Sequence, residues 1–391
     1  MSVQNVWITH ASLPRQSYPL PYHDPQLSIE TRQASLLIET LHWGAELHVH
    51  GTATGISVQI AHTLYELAVP AHWPLHVRTG DGNDKVTFTG LQTHVVIETQ
   101  GGDDDVHLEG SSGPDRAGIA VVDAGPGDDL VVAEDLKEVE IEGGTGNDNI
   151  SSNATHSSIY AGDGDDTVWI EGGRAIIEAM SGLNAVSNGP LDDRMYGHPG
   201  SITALGGRDA PLMFEAWNTP LPEDHAQTFQ VRGDYRYVEK VTRQLKMLRA
   251  TLTGSTLMAD LVARHARIVI SHHPALDNAM AEFSPGQAAP RIASGMRGTP
   301  ALNINVFYNP LTHITGAPSL IILYHELCHA WNFATGTLMG DTEQQAVGLD
   351  SGEPPFDFDD DPQTPATASN PYPFNENALR QELGLAARTH Y

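Results

Sequence analysis

Five short stretches of the chain align, and their spacing leaves few ways for it to fold. They are TGDGNDKVTF from Thr79, TQGGDDDVHL from Thr99, AGPGDDLVVA from Ala124, GGTGNDNISS from Gly143 and AGDGDDTVWI from Ala161. Each carries a glycine, then Asn or Asp, then an aspartate: Asp84, Asp104, Asp129, Asp148 and Asp166. The matching glycines, Gly82, Gly102, Gly127, Gly146 and Gly164, are 20, 25, 19 and 18 residues apart. A period near 20 residues is the mark of a solenoid, in which each repeat covers the apolar face of its neighbour. After each turn comes a short alternating strand, such as Val86/Phe88 or Val168/Ile170. A second strand follows about halfway to the next turn, such as Val95/Ile97 or Val139/Ile141. Two strands and two turns per period describe one coil of a parallel β-helix or β-roll.

The turns resemble the calcium-binding nonapeptides of RTX proteins, with one turn per coil keeping the pattern. Stacked coils would place the five aspartates in one row along an edge. Such a row repels itself unless screened or bridged, and calcium takes roughly six to eight oxygens of this kind. Calcium is therefore one expectation for the row, and a solvated acidic edge without specific ions is the other. Residues 80–171 hold 21 acids against Lys85, Arg116 and Lys137, a net of −18 within a chain of net charge −28. That balance disfavours nucleic acid and anionic membranes, which need concentrated Lys and Arg. SLLIETLHW, AELHVHG and ISVQIAH also alternate, so the acidic β-solenoid is expected over residues 31–187. NGPLDDRMYGHPG reads as the start of a linker, 188–209, leaving a second domain from residue 210 to 391.

Residues 1–30 lack a basic cluster followed by an apolar run, which disfavours a general secretory signal, and are expected to be a specialised secretion signal or a disordered tail. No run of about 18 apolar residues suggests a membrane span. The lone Cys328 excludes an intramolecular disulfide, and is expected to pack rather than react.

GAPSLIILYHELCHAWNFATG, from Gly316, reads as one buried helix with Pro318 near its start and Gly336 past its end. Within it His325, Glu326 and His329 form an H-E-x-x-H. On a helix, positions i and i+4 lie one above the other, so both imidazoles can reach one zinc ion. Glu326 beside them is the candidate base. A metzincin would have Gly and His where this chain has Asn332 and Thr335. The leading third ligand is Glu343, in DTEQQAVGLD, with Asp350 and Glu376 as alternatives. Two His, one Glu and an open position make a catalytic zinc set. DSGEPPFDFDDDPQTPATASNP, from Asp350, is expected to be a mobile loop over the site or a disordered insertion.

The same region resembles the NleD-like family of zinc metallopeptidases, found among type III secreted effectors and toxin tips. VFYNP, HELCHAW, the E-x-Q-A-V-G-L of Glu343 to Leu349 and the tail FNENALRQELGLAARTHY carry the resemblance, over about residues 210–391. It departs from the family's G-L-P tail motif at Ala386, and it does not cover the acidic repeats. The resemblance implies a zincin-like α+β fold, with His325, His329 and Glu343 on zinc and Glu326 as base. It also suggests that Arg388 and Tyr391 steady an oxyanion; plain anchoring of the tail is the other reading. The resemblance also implies a secreted protein acting in the cytoplasm of a host or target cell on a protein substrate, for family members a host signalling kinase. The competing expectation is a calcium-binding adhesin or scaffold holding a structural zinc. A further expectation is that calcium folds the repeats only after export.

Overall fold

The computed structural model describes residues 5–391 apart from 11–13, 33–34, 53, 71–72, 114–115, 188, 190–192, 199, 206–211, 216–224, 273–278, 285, 287 and 313. It divides into two compact units, Met1–Phe214 and Glu215–Tyr391. No helix among the described residues is long and apolar enough to cross a membrane.

The first unit holds two large sheets. From residue 75 onward, successive strands alternate between them. Leu75–Arg78, His94–Glu98, Ile119–Pro126, Glu138–Thr145, His156–Asp163, Arg174–Glu178 and Arg194–Gly197 run parallel in one. Lys85–Thr89, Asp105–Glu109, Leu130–Glu134, Asn149–Ser152, Thr167–Ile170, Asn184–Ser187 and Ile202–Ala204 run parallel in the other. The register follows the repeat, with Val86 on Val106, Val106 on Val131 and Val131 on Ile150. These alternate residues, with Val95, Val122, Ile141 and Ile177 from the facing sheet, form one buried core.

The matching glycines stack as a column at the corners. Gly127 and Gly146 have φ of 149° and 129°, a region that side chains with a Cβ rarely adopt. A Cβ at Gly127 would also collide with the carbonyl of Gly102, and one at Gly146 with that of Gly127. Close approach of successive repeats and backbone angle thus require glycine together.

Three expectations change. The segment 1–30, expected to be a secretion signal or a tail, contributes strands Asn5–His10, Gln16–Pro19, Tyr22–His23 and the start of Leu27–Arg32. Val6, Ile8, Leu27 and Ile29 enter the core. Residues 1–4 and 11–13 of that segment lie outside the described part. Second, repeat-like strands before residue 70 are largely antiparallel: Glu46–Thr52, Gly55–Ile60 and Thr63–Leu67 form a meander. The tight turn at Ala61, with φ of 50°, returns the chain before a coil can close. Third, the sheets run on into the expected linker through Arg194–Gly197 and Ile202–Ala204, because Met195 still finds the core. Positions 188, 190–192, 199 and 206–209 of that stretch are outside the described residues.

The second unit is α+β. Its sheet orders Phe229–Arg232, Arg267–Ser271, Asn303–Phe307 and Met280–Phe283, the last antiparallel and at the edge. Its helices are α1 (His225–Thr228), α2 (Tyr235–Ala250), α3 (Leu252–Ala263), α4 (Ser319–Thr335), α5 (Thr342–Val347) and α6 (Glu376–Glu382). Asp234, Thr251, Asp341 and Asn375 cap α2, α3, α5 and α6, each side chain accepting a backbone N–H of the first turn.

Candidate metal centre

Helix α4 is buried along its whole length and ends at Gly336, whose left-handed φ of 70° returns its N–H to Asn332 and Phe333. His325 and His329 project from successive turns. Their Nε2 atoms are 3.0 Å apart. Glu343, in the first turn of α5, places Oε2 at 3.1 Å from His325 Nε2 and 3.3 Å from His329 Nε2. All three atoms lie within 4.8 Å of one another. The buried Ala346 lets α5 sit against α4, and Gln345 fixes it by donating to Thr337 O and accepting from Met339 N.

The donor set fits a small divalent ion. Tetrahedral bonds of about 2.0 Å separate ligand atoms by roughly 3.3 Å, close to the spacings found here. Two imidazole nitrogens and a carboxylate oxygen converging on one point are all potential lone-pair donors.

The surrounding charges are strongly shifted. Burial opposes charge on His325, but Glu343 and Glu376 outweigh it and lift the imidazole to about 9. Burial pushes the Glu326 carboxyl upward, and the backbone N–H of Ala281, on the edge strand Met280–Phe283, donates to it and opposes that push. Glu343 is held well below the usual carboxylate range by His325, His329 and Tyr391, although burial works the other way.

Among the alternatives for the third ligand, Glu376 is buried but sits on the other side of the imidazole, its Oε2 2.8 Å from His325 Nδ1. Asp350 is exposed and accepts the N–H of Gly352. Tyr391 stacks on His325 with ring centroids 6.0 Å apart and donates to Glu343, while Arg388 lies 4.4 Å over the Tyr391 ring. Cys328 is buried, and burial pushes its thiol well above its ordinary value. The acidic loop after Asp350 is tied to α4 rather than loose. Trp331 stacks on Phe358 at 5.9 Å and on Phe374 at 4.3 Å, and Arg297 donates to Phe358 O.

The repeat aspartates do not form a solvated edge. Asp84, Asp104, Asp129, Asp148 and Asp166 are each 1–2% exposed. From Asp104 onward, their Oδ1 atoms accept the backbone N–H of the aspartate in the preceding repeat: Asp84 to Asp104 at 2.7 Å, Asp104 to Asp129 at 2.8 Å, Asp129 to Asp148 at 2.9 Å and Asp148 to Asp166 at 3.0 Å. Asn184 continues the series by accepting from Asp166. The residue before each aspartate builds a second ladder of opposite sense. Asp103 donates its N–H to Asn83, Asp128 to Asp103, Asn147 to Asp128 and Asp165 to Asn147. A single acceptor oxygen serves at that position, which is why either Asn or Asp is found there. Inside, burial pushes Asp104 up to about 7 and Asp129 to about 8, and neighbouring aspartates add to the effect.

A small mixed sheet backing a long buried helix carries a His–His–Glu cluster beside an acid, which makes a potential metal site in the second unit. Residues 225–391 match the family model Peptidase_M91, described as an effector protein. No curated protein and no solved structure matches the chain.

Proposed function

We propose that the second unit is a zinc-dependent endopeptidase of a secreted effector, acting on a protein inside a host or target cell. The observation that carries this reading is the convergence of His325, His329 and Glu343, with Glu326 adjacent on the same helix. Zinc held there supplies Lewis acidity to a substrate carbonyl and acidifies a water molecule. Glu326 takes the proton of the attacking water and passes it to the departing amine nitrogen. Its buried setting, which favours the protonated form, suits a group that must gain a proton and then release it. Tyr391, whose hydroxyl reaches Glu343, and Arg388, which lies over its ring, are the groups offered here to a developing oxyanion.

The edge strand Met280–Phe283 supports an extended substrate. Among the described residues it has one sheet partner, Asn303–Phe307, and its Ala281 N–H already reaches Glu326. A peptide pairing along that edge would pass the base. A signalling kinase as substrate rests on family resemblance alone. A scaffold with structural zinc would need a fourth protein ligand, and the described residues bring three.

The alternation of parallel strands between two sheets supports a β-solenoid, a β-helix or β-roll, for the first unit. For its aspartate row, the best-supported reading is a buried spine held by backbone N–H groups and protons. Calcium is the competing reading, favoured by the Oδ2 atoms of Asp84, Asp104 and Asp129, which meet no hydrogen-bond donor among the described residues.

Replacing Glu326 with Gln tests the enzyme reading. Loss of proteolysis with zinc retained supports it; undiminished cleavage overturns the role of Glu326.

A further inference from the structure

Glu376 lies 51 residues beyond His325, on the first turn of α6, and is 1% exposed. Both its oxygens are engaged. Oε1 accepts from Arg380 Nε at 2.6 Å. Oε2 lies 2.8 Å from His325 Nδ1 and 3.4 Å from an Arg388 guanidinium nitrogen. A carboxylate can only accept here, so Nδ1 must carry the proton. In the neutral imidazole, Nε2 then holds the lone pair, and Nε2 is the atom facing His329 and Glu343.

The contacts continue into the tail. Asn377, the next residue of α6, brackets Arg388 with two hydrogen bonds, accepting its N–H at 2.7 Å and donating to its carbonyl at 2.9 Å. Arg388 lies over the ring of Tyr391, and Tyr391 stacks on His325. His325, Glu376, Arg388 and Tyr391 therefore form a closed ring of contacts.

Building on the zinc reading above, we infer that Glu376 is a positioning residue. It fixes the tautomer and orientation of His325 for metal and couples metal loading to the order of the C-terminal tail. Outer carboxylates on metal-binding histidines typically contribute about 10–100-fold in affinity. Coupling between two sites is reciprocal, so whatever frees the tail also weakens the metal.

The test measures zinc affinity of the full chain by competition with a chromophoric chelator, for wild type, His329→Ala, Glu376→Gln, Glu376→Ala and Arg388→Gln. Hydrogen exchange of the last residues is followed with and without zinc. The expected result is about one zinc per wild-type chain, lost in His329→Ala and bound about 10–100-fold more weakly in both Glu376 variants. Arg388→Gln, which removes the guanidinium's contacts with Glu376 and Tyr391 but leaves the Glu376 carboxylate on His325, should weaken zinc by a smaller factor. Zinc should slow exchange in the wild-type tail and leave it fast in the Glu376 variants. In zinc-loaded wild type, the slowly exchanging Nδ1 proton of His325 should be visible by NMR and absent in Glu376→Ala. Glu376→Gln keeps the side-chain volume, so a native circular dichroism spectrum separates weakened binding from unfolding. Wild-type affinity in both Glu376 variants, with zinc still lost in His329→Ala, overturns the positioning role and leaves the zinc site standing. A wild-type chain that binds no zinc overturns both.

Discussion

Asp104 accepts the backbone N–H of Asp84 through Oδ1 at 2.7 Å, while its Oδ2 is buried without a hydrogen-bond donor among the described residues. The bond recurs coil after coil, so the cost of burying carboxyls is offset by satisfied backbone groups and by retained protons.

A pH dependence follows. Asp104 and Asp129 have folded-state values of about 7 and about 8, above the ordinary 3.8. A raised value means that the folded chain binds protons more tightly than the unfolded one. Their stabilisation is complete below about pH 4 and is lost as pH rises through 7 to 8. Glu98, held down to about 2 by His76 and Arg78 against the effect of burial, acts oppositely and loses its contribution only under strong acid. Calorimetry of the full chain should show the transition of the first unit falling between pH 5 and 8. Asp104→Asn and Asp129→Asn should flatten that slope. A transition that rises with pH contradicts the protonated spine; one that climbs several degrees with calcium at pH 8 favours the calcium reading.

The glycine column permits a controlled comparison. Gly127→Ala combines a positive φ with a collision against Gly102, and should cost about 2–3 kcal/mol. Gly113 also has positive φ, 129°, but nothing lies near its missing Cβ. Gly113→Ala should cost only about 1 kcal/mol. Equal losses in chemical denaturation would remove coil-on-coil contact as the reason for the column.

Glu382 accepts the N–H groups of Leu252 and Thr253 at 2.6 and 2.7 Å, fastening the end of α6 to the start of α3. Glu382→Ala should destabilise the second unit by about 1–2 kcal/mol. An unchanged denaturation midpoint would show that water replaces the cap without loss.

Tyr391→Phe distinguishes oxyanion support from anchoring. As an oxyanion donor, Tyr391 should contribute about 100-fold or more to kcat, with zinc content unchanged. A kcat within about twofold of wild type would leave the hydroxyl as an anchor on Glu343.

Much of this was legible in the chain because it depends on local spacing. The Gly-[Asn/Asp]-Asp turns announce the coil-to-coil register, and the i, i+4 placement of His325 and His329 gives one helix face with two imidazoles. Glu343 follows only 14 residues later, close enough for a short second helix to return it. The inward direction of Asp84 and its fellows was not legible, since spacing shows a row but not the side of the backbone it occupies. The strands of residues 5–32 lack a repeat and are recognisable only through the core they enter. Met280–Phe283 is too short to show a period, and its value lies in its place beside Glu326. Glu376 reads as an alternative third ligand until α6 is packed against α4; its place at Nδ1 of His325 is then fixed by tertiary structure alone.

The most direct test of the central claim is elemental analysis of zinc in purified wild type, His329→Ala and Glu343→Gln. About one zinc per wild-type chain, absent from both variants, is the expected result. Full zinc in Glu343→Gln, or none in wild type even after zinc is supplied, would contradict a centre built from His325, His329 and Glu343.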